Sequence, residues 1–167
     1  NPPYGVKLSK PVQEALNRIH NFGTTETAVL FILKGYSILK SKGLHSYILP
    51  KSFTFASNYS KIRDLIKKEV SIIVDCGIVW SDVKLEVCIF QLTKELLLDQ
   101  YDSYKLFDGE IRHLTTIDKS LITKFGFFLN GLNASEIYLG QKILESCCSL
   151  DDIARNQRGG MLQKFIS

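Results

Sequence analysis

The 167-residue sequence is informative first for what it lacks. It contains no run of about 18 apolar residues, and no basic leader followed by an apolar stretch, so we expect neither a membrane-spanning helix nor a secretion signal. A hydrophobic content of 45% argues against a disordered chain. These features predict a soluble, cytoplasmic protein without a membrane partner.

Metal-ligating residues are scarce and unsuitably spaced. The chain has three histidines and four cysteines, with no Cys-x-x-Cys pair. We therefore expect no metal site and no disulfide, and we interpret the thiols as reduced and buried; they are Cys76, Cys88, Cys147 and Cys148. The net charge of +4 permits a polyanionic partner without requiring one.

A glycine-rich cofactor turn is also missing. No Gly-x-Gly follows an apolar strand, and no acidic residue is placed to hold ribose hydroxyls. What the chain does have is Asn1-Pro2-Pro3-Tyr4, followed by Gly5. The motif combines an amide, two conformationally restricted residues and an aromatic ring, which together can hold a flat group that bears an amine.

Hydrophobic periodicity predicts the elements that follow. Helices are expected over residues 9–20, from about 25 to 42 and over 58–68, and strands over 44–49, 70–74 and 85–93. The last two strands should pair antiparallel across a short loop. We predict an α/β fold with an open, mainly parallel sheet that has an antiparallel edge strand. Beyond residue 95 we expect a possible extended segment over 106–117, then helices over 117–130 and from the capping box at 133–136 to about 147.

The order of these segments resembles the adenine-specific DNA methyltransferases of restriction-modification systems. The resemblance starts at Asn1-Pro2-Pro3-Tyr4 and continues through residues 27–53 and 61–66. Gly77-Ile78-Val79-Trp80 with the strand at 87–90 is similar to the motif whose aromatic residue faces the target base in that family. Residues 150–154 and 158–160 resemble, more loosely, the entry to its target-recognition domain.

The resemblance implies a fold and a domain plan. Residues 1–94 would be the C-terminal half of a Rossmann-like catalytic domain that uses S-adenosylmethionine. Residues 95–148 would form a helical connector, and 149–167 would begin the target-recognition domain. Most of the cofactor site would lie upstream, so we expect a piece of a longer polypeptide that by itself binds the cofactor weakly and is inactive.

The resemblance also implies roles for single residues. Asn1 and the backbone of Pro2 would accept the hydrogens of the adenine amine, Pro3 would hold them in place, and Tyr4 would stack on a base flipped out of double-stranded DNA. Outside this core, Trp80, Arg155 and Arg158 would be DNA contacts, and Gly5 with Asn1 would be cofactor contacts. Three residues near the presumed carboxyl ends of strands, Lys7, Lys51 and Ser52, are weaker candidates for contacts with DNA phosphate or cofactor. A fused or partner endonuclease is possible in such systems.

Two other functions remain open. The same motif can hold an amide, which allows a methyltransferase that acts on a protein glutamine. A DNA-binding module that has kept the fold without catalysis is the second alternative. The 70 or so residues that follow the strand at 85–93, and the Arg-Gly-Gly turn, favour DNA.

Overall fold

A computed structural model describes residues 1–3, 6, 8–20, 26–82 and 84–154. The chain divides into two compact units, residues 1–134 and 135–167. The first unit contains the sheet and most of the predicted site residues. The second contains most of α5 (Ala134–Ser146) and α6 (Leu150–Ile153).

The first part of the chain alternates helices and strands, as its periodicity predicts. Its elements are α1 (Lys10–His20), α2 (Thr27–Ile38), β1 (Leu44–Pro50) and α3 (Ser60–Ile66). Helix α2 ends before the predicted residue 42 because Leu39 is already extended, and Lys42 then adopts a positive φ of 59° in the turn that leads to β1. A short 3-10 turn, Lys51–Thr54, follows β1.

The later elements complete one five-stranded sheet. They are β2 (Val70–Ile78), β3 (Glu86–Thr93), β4 (Gln100–Phe107), β5 (Glu110–Asp118) and α4 (Ser120–Phe125). The strand order is β1-β3-β2-β4-β5. Strand β3 is antiparallel to both of its neighbours, β4 pairs parallel with β2, and β5 pairs antiparallel with β4.

This topology corrects the predicted sheet. The antiparallel pairing of β2 and β3 is confirmed, but the prediction of a mainly parallel sheet is wrong, since β2–β4 is the one parallel pair among the described strands. The antiparallel strand β3 lies between β1 and β2 and not at an edge. The segment predicted as a helical connector, 95–148, contains β4 and β5 as well as helices. The three-part domain plan stays a prediction.

One face of the sheet holds an aromatic core. Phe90 on β3 is 2% exposed and makes ring contacts with Phe53 and Phe128, at centroid distances of 5.3 and 5.4 Å. Tyr101 on β4 contacts Phe128 and donates its hydroxyl to Leu129 O at 2.8 Å. Burying these rings stabilises the sheet against the segments that follow β1 and β5.

The cysteines are only partly as predicted. All four are free thiols and Cys88 is buried, but Cys147 and Cys148 are exposed, so the prediction of buried thiols is wrong for that pair. They lie in the second unit, where most of the residues of α5 and its end are exposed. Among the helices in the described part of the chain, none combines the length and apolar character needed to cross a bilayer.

Candidate functional site

Three strands end at the same edge of the sheet. Strands β1 and β2 both run antiparallel to β3 and therefore run in the same direction, and β4 is parallel to β2. Their carboxyl ends, at Pro50, Ile78 and Phe107, consequently lie along one edge. In open α/β sheets this is the edge where ligands bind.

The segment Asn1-Pro2-Pro3 is attached to this edge of the sheet by its contact with α2. Tyr47 donates its hydroxyl to Phe31 O at 2.9 Å, and a side chain at Gly35 would collide with His45, so α2 runs antiparallel to β1. The first residue of α2, Thr27, thus lies near the carboxyl end of β1. Its hydroxyl donates to Pro3 O at 2.5 Å.

The described part of the motif is held at its prolines. Pro2 is buried, while Asn1 and Pro3 are exposed. The prolines restrict the backbone, and Pro3 O accepts a hydrogen bond from the buried Thr27. The backbone next to Asn1 is therefore anchored to the first residue of α2. Tyr4 and Gly5, the other predicted members, lie outside the described residues.

Trp80 lies at the same edge as the motif. It follows β2 by two residues and is 38% exposed, and its neighbours Ile78 and Val79 are 60% and 47% exposed. The segment Ile78–Trp80 therefore presents three consecutive apolar side chains to solvent. An exposed apolar segment beside a strand end suits a ligand with a flat apolar surface.

Sequence reasoning missed the ionic cluster at this edge. Lys51, the first residue after β1, places its Nζ 3.0 Å from Asp75 Oδ2 and 3.3 Å from Glu86 Oε2. Partial burial works to lower the pKa of Lys51, but the hydrogen bonds and charges of Asp75 and Glu86 outweigh it and raise the pKa above the ordinary lysine value. The structure thus argues against Lys51 as a free contact for DNA phosphate, because its charge is already paired.

Asp75 is the most enclosed member of this cluster. Its side chain is 5% exposed. Its second oxygen, Oδ1, accepts the backbone N–H of Gly77 at 3.2 Å. Gly131 packs against the carboxylate so closely that a side chain there would collide with it, and Gly131 N donates to Ser103 Oγ at 3.3 Å.

The two thiols near this edge are not nucleophiles. Burial raises the pKa of Cys88 to about 12 and also raises the pKa of Cys76. Both remain protonated near neutral pH, and only the thiolate attacks readily. Neither thiol is therefore poised to attack a substrate.

The two carboxylates of this cluster are poorly suited to hold the ribose of S-adenosylmethionine. Asp75, near the end of β2, and Glu86, the first residue of β3, both contact Lys51, so each already has a cationic partner. No cluster of three potential metal ligands occurs in the described ranges either. Arg155 and Arg158, the predicted DNA contacts, lie outside the described residues, as does Lys7.

One local signal could have revealed the missed cluster. Asp75-Cys76-Gly77 ends a β-branched run, and an Asp two residues before a Gly often accepts its backbone N–H in a turn. Lys51 and Gly131 carry no comparable signal, because their contacts with Asp75 join segments far apart in the sequence.

A comparison with protein families gives a match to the first part of the chain. Residues 1–78 match the sequence model of a family described as Eco57I restriction-modification methylase. No curated protein matches the chain.

Solved structures with a similar fold include a modification subunit, a restriction endonuclease and a complex with DNA. A modification subunit of a putative type I restriction enzyme from Vibrio vulnificus YJ016 has a TM-score of 0.54 at 16% identity, over 94% of this chain and 31% of that one. The type IIG restriction endonuclease BpuSI gives 0.58 at 13% identity, over 74% and 19%. The DrdV–DNA complex gives 0.50 at 14% identity, over 71% and 17%.

At these identities the structural matches establish similarity of fold alone. The chain spans less than a third of each of these three proteins. The sequence match is the more specific finding, because it covers the motif, β1 and the whole of β2. Residues 1–78 are therefore similar in sequence to the Eco57I restriction-modification methylase family.

Proposed function

We propose that this chain supplies the base-holding part of a DNA methyltransferase that methylates the exocyclic amine of adenine within a restriction-modification system. The observation that carries the proposal is the hydrogen bond from Thr27 to Pro3 O, which holds the Asn-Pro-Pro segment at the carboxyl edge of the sheet. The family match over residues 1–78 supports it.

The chemistry follows from two acceptors. The lone pair of an adenine amine is delocalised into the ring, so the amine is a weak nucleophile. The side-chain carbonyl of Asn1 and the backbone carbonyl of Pro2 would each accept one amine hydrogen and favour a pyramidal nitrogen whose lone pair points at the methyl donor. The exposed side of Asn1 leaves room for this.

Stacking would hold the base itself. An enzyme that modifies a base inside a duplex must first flip it out, and aromatic side chains commonly cover its faces. We assign this role to Tyr4 and to the exposed Trp80.

S-adenosylmethionine is the methyl donor in this proposal, with Asn1 and Gly5 as contacts from this chain. Most of its site would come from other residues. Arg155 and Arg158 would contact the phosphates of double-stranded DNA, and the neighbour solved as a complex with DNA supports DNA as the partner. A fused or partner endonuclease would complete the system.

The proposal is tested in the complete methyltransferase. Methyl transfer to duplex DNA is measured, with N6-methyladenine identified by mass spectrometry of the nucleosides. We expect Asn1→Ala to lower kcat by about 100-fold or more, since a preorganised polar contact to the reacting group is typically of that size. Tyr4→Ala should weaken binding of duplex DNA that carries the target site, while Tyr138→Ala, at a 60% exposed tyrosine of α5, should change neither value.

Three outcomes would contradict the proposal. Undiminished methylation by the Asn1→Ala enzyme would remove the mechanism. Methylation of a protein glutamine and not of DNA would favour the alternative substrate. Duplex DNA binding without any methyl transfer would favour a binding module without catalysis.

A further inference from the structure

The end of β2 departs from regular pairing just before Trp80. Asp75 lies opposite Cys88 on β3, and Gly77 lies opposite Val87, so Cys76 is an extra residue that forms a bulge. Gly77 has a positive φ of 60° there. A bulge bends its strand and redirects the side chains that follow it.

Asp75 stabilises this bulge from within. Its Oδ1 accepts the N–H of Gly77 across the extra residue at 3.2 Å. Its Oδ2 accepts Lys51 Nζ at 3.0 Å. A carboxylate confined by Gly131 and bonded through both oxygens has little freedom to rotate, and so the backbone at Gly77 is held with it.

Lys51 connects this bulge to two further strand ends. It follows directly on β1, and it also contacts Glu86, the first residue of β3. Glu86 in turn pairs with Ile78, the last residue of β2 before the chain leaves the sheet towards Trp80. The ammonium group of Lys51 thus links β1, β2 and β3 close to where the exposed segment Ile78–Trp80 begins.

We propose that Asp75 and Lys51 are positioning residues, whose ion pair holds the Cys76 bulge and thereby aims Ile78–Trp80 at the flipped base. The inference rests on the proposed function for the identity of the ligand. The positioning itself can be measured without it. Neither residue touches the reacting atoms, and both act through the backbone of Gly77 and the side chain of Trp80.

Trp80 provides a direct readout because it is the single tryptophan of the chain. Lys51→Met and Asp75→Asn remove the ion pair in two different ways, and Lys51→Arg retains a cation as the conservative variant. Lys67→Met is the matched control, since it removes the exposed Lys67–Asp64 ion pair, also 3.0 Å long, at the C-terminal end of α3. Far-UV circular dichroism shows that each variant is folded.

We expect the acrylamide quenching constant of Trp80 to rise by about twofold in Lys51→Met and in Asp75→Asn, because a released segment exposes more of a side chain that is now 38% exposed. Lys51→Arg should restore most of the protection, and Lys67→Met should leave the wild-type value unchanged. Unchanged quenching in both Lys51→Met and Asp75→Asn would overturn the proposal, and so would an equal rise in the Lys67→Met control.

Kinetics of the complete methyltransferase give a second test. The KM for DNA should rise by about tenfold in Lys51→Met, with a smaller change in kcat. The reason is that a displaced Trp80 weakens the contact with the base, whereas the residues at the reacting amine are unchanged. Altered quenching with an unchanged KM would overturn the role in substrate binding. Absence of DNA methylation in the wild type would contradict the proposed function alone, since the quenching measurements would still decide the positioning role.

Discussion

Gly131 shows how a single residue shapes the edge of the sheet. It has a φ of +68°, and a side chain there would collide with the carboxylate of Asp75. Two separate costs are therefore expected for any substitution. The backbone would be strained, and the ion-pair cluster around Asp75 would have to move.

We predict that Gly131→Ala lowers the free energy of unfolding by about 2–4 kcal/mol, from roughly 1 kcal/mol of backbone strain and about 1–3 kcal/mol of overpacking. Gly109→Ala is the matched control, because Gly109 also has a positive φ, of 85°, but none of the described atoms lies within 4 Å of the new Cβ. Its loss should be about 1 kcal/mol. Urea unfolding measures both, and equal losses in the two variants would contradict a collision at Asp75.

At this scale the sequence predicts the residues of a contiguous motif and not the residues that hold it. Asn1-Pro2-Pro3-Tyr4 and Trp80 stand out because their residue types and spacing carry the resemblance. Lys51, Asp75 and Gly131 do not, because their roles arise from contacts that only the folded sheet creates. Lys51 itself was predicted as a weak phosphate contact, whereas it is an ion-pair partner.

Helix α3 depends on an unusual buried residue. Arg63 is 5% exposed, and its guanidinium donates to three backbone carbonyls in the turns that follow β1, those of Phe53 at 3.0 Å, Ala56 at 2.6 Å and Phe55 at 3.3 Å. It thus attaches a seven-residue helix to the segment that begins at Lys51. A buried cation is tolerated there because its donors are satisfied.

We predict that Arg63→Met lowers the free energy of unfolding by about 2–4 kcal/mol, because one buried and two partly buried carbonyls lose a charged donor. Arg63→Lys should not recover this loss, since an ammonium group cannot reach the three carbonyls in the planar geometry of a guanidinium. Lys61→Met, at an exposed position of the same helix, serves as the control. Urea unfolding provides the measurement, and a loss within 0.5 kcal/mol of the control, the usual range for surface substitutions, would contradict it.

The elements were predictable where hydrophobic periodicity is strong and local. Strands β1 and β3 agree closely with prediction, and β2 extends to Ile78, beyond the predicted end at residue 74. Strand β4 was missed because its sequence, QYDSYKLF, is largely polar and its pairing with β2 is not local. The central position of β3 is likewise decided by pairing between distant segments, which periodicity does not encode.

For the molecule as a whole, two partly buried groups, Lys119 and Tyr36, contribute to the response to alkaline pH with opposite signs. Burial lowers the pKa of Lys119 to about 8, and the charges of Asp99 and Glu69 only partly oppose this. Burial, together with the hydrogen bond to Glu69, raises the pKa of Tyr36 to about 12. The unfolded chain has ordinary values for both, near 10.5 and 10.0.

The two groups act in opposite directions in different pH ranges. Between pH 8 and 10.5 the unfolded chain binds more protons at Lys119 than the folded chain does, so the contribution of Lys119 to stability rises with pH. Above pH 10 the unfolded chain loses a proton from Tyr36 that the folded chain retains, so stability falls. The raised pKa of Lys51 adds to this fall, because its stabilisation is lost as pH rises through the folded value.

We predict that Lys119→Met removes the rise selectively. The stability of the wild type relative to this variant should increase between pH 8 and 10, because only the wild type has a partly buried ammonium group that loses its charge in this range. Urea unfolding at pH 7, 8, 9 and 10 measures the difference, with Lys124→Met, at an exposed lysine of α4, as the control for a general change of charge. Methionine also removes the hydrogen bond from Lys119 Nζ to Lys68 O, so the comparison rests on how the difference in stability changes with pH and not on its size at one pH. Parallel pH profiles for the wild type and Lys119→Met would show that Lys119 stays charged in the folded protein and would contradict the prediction.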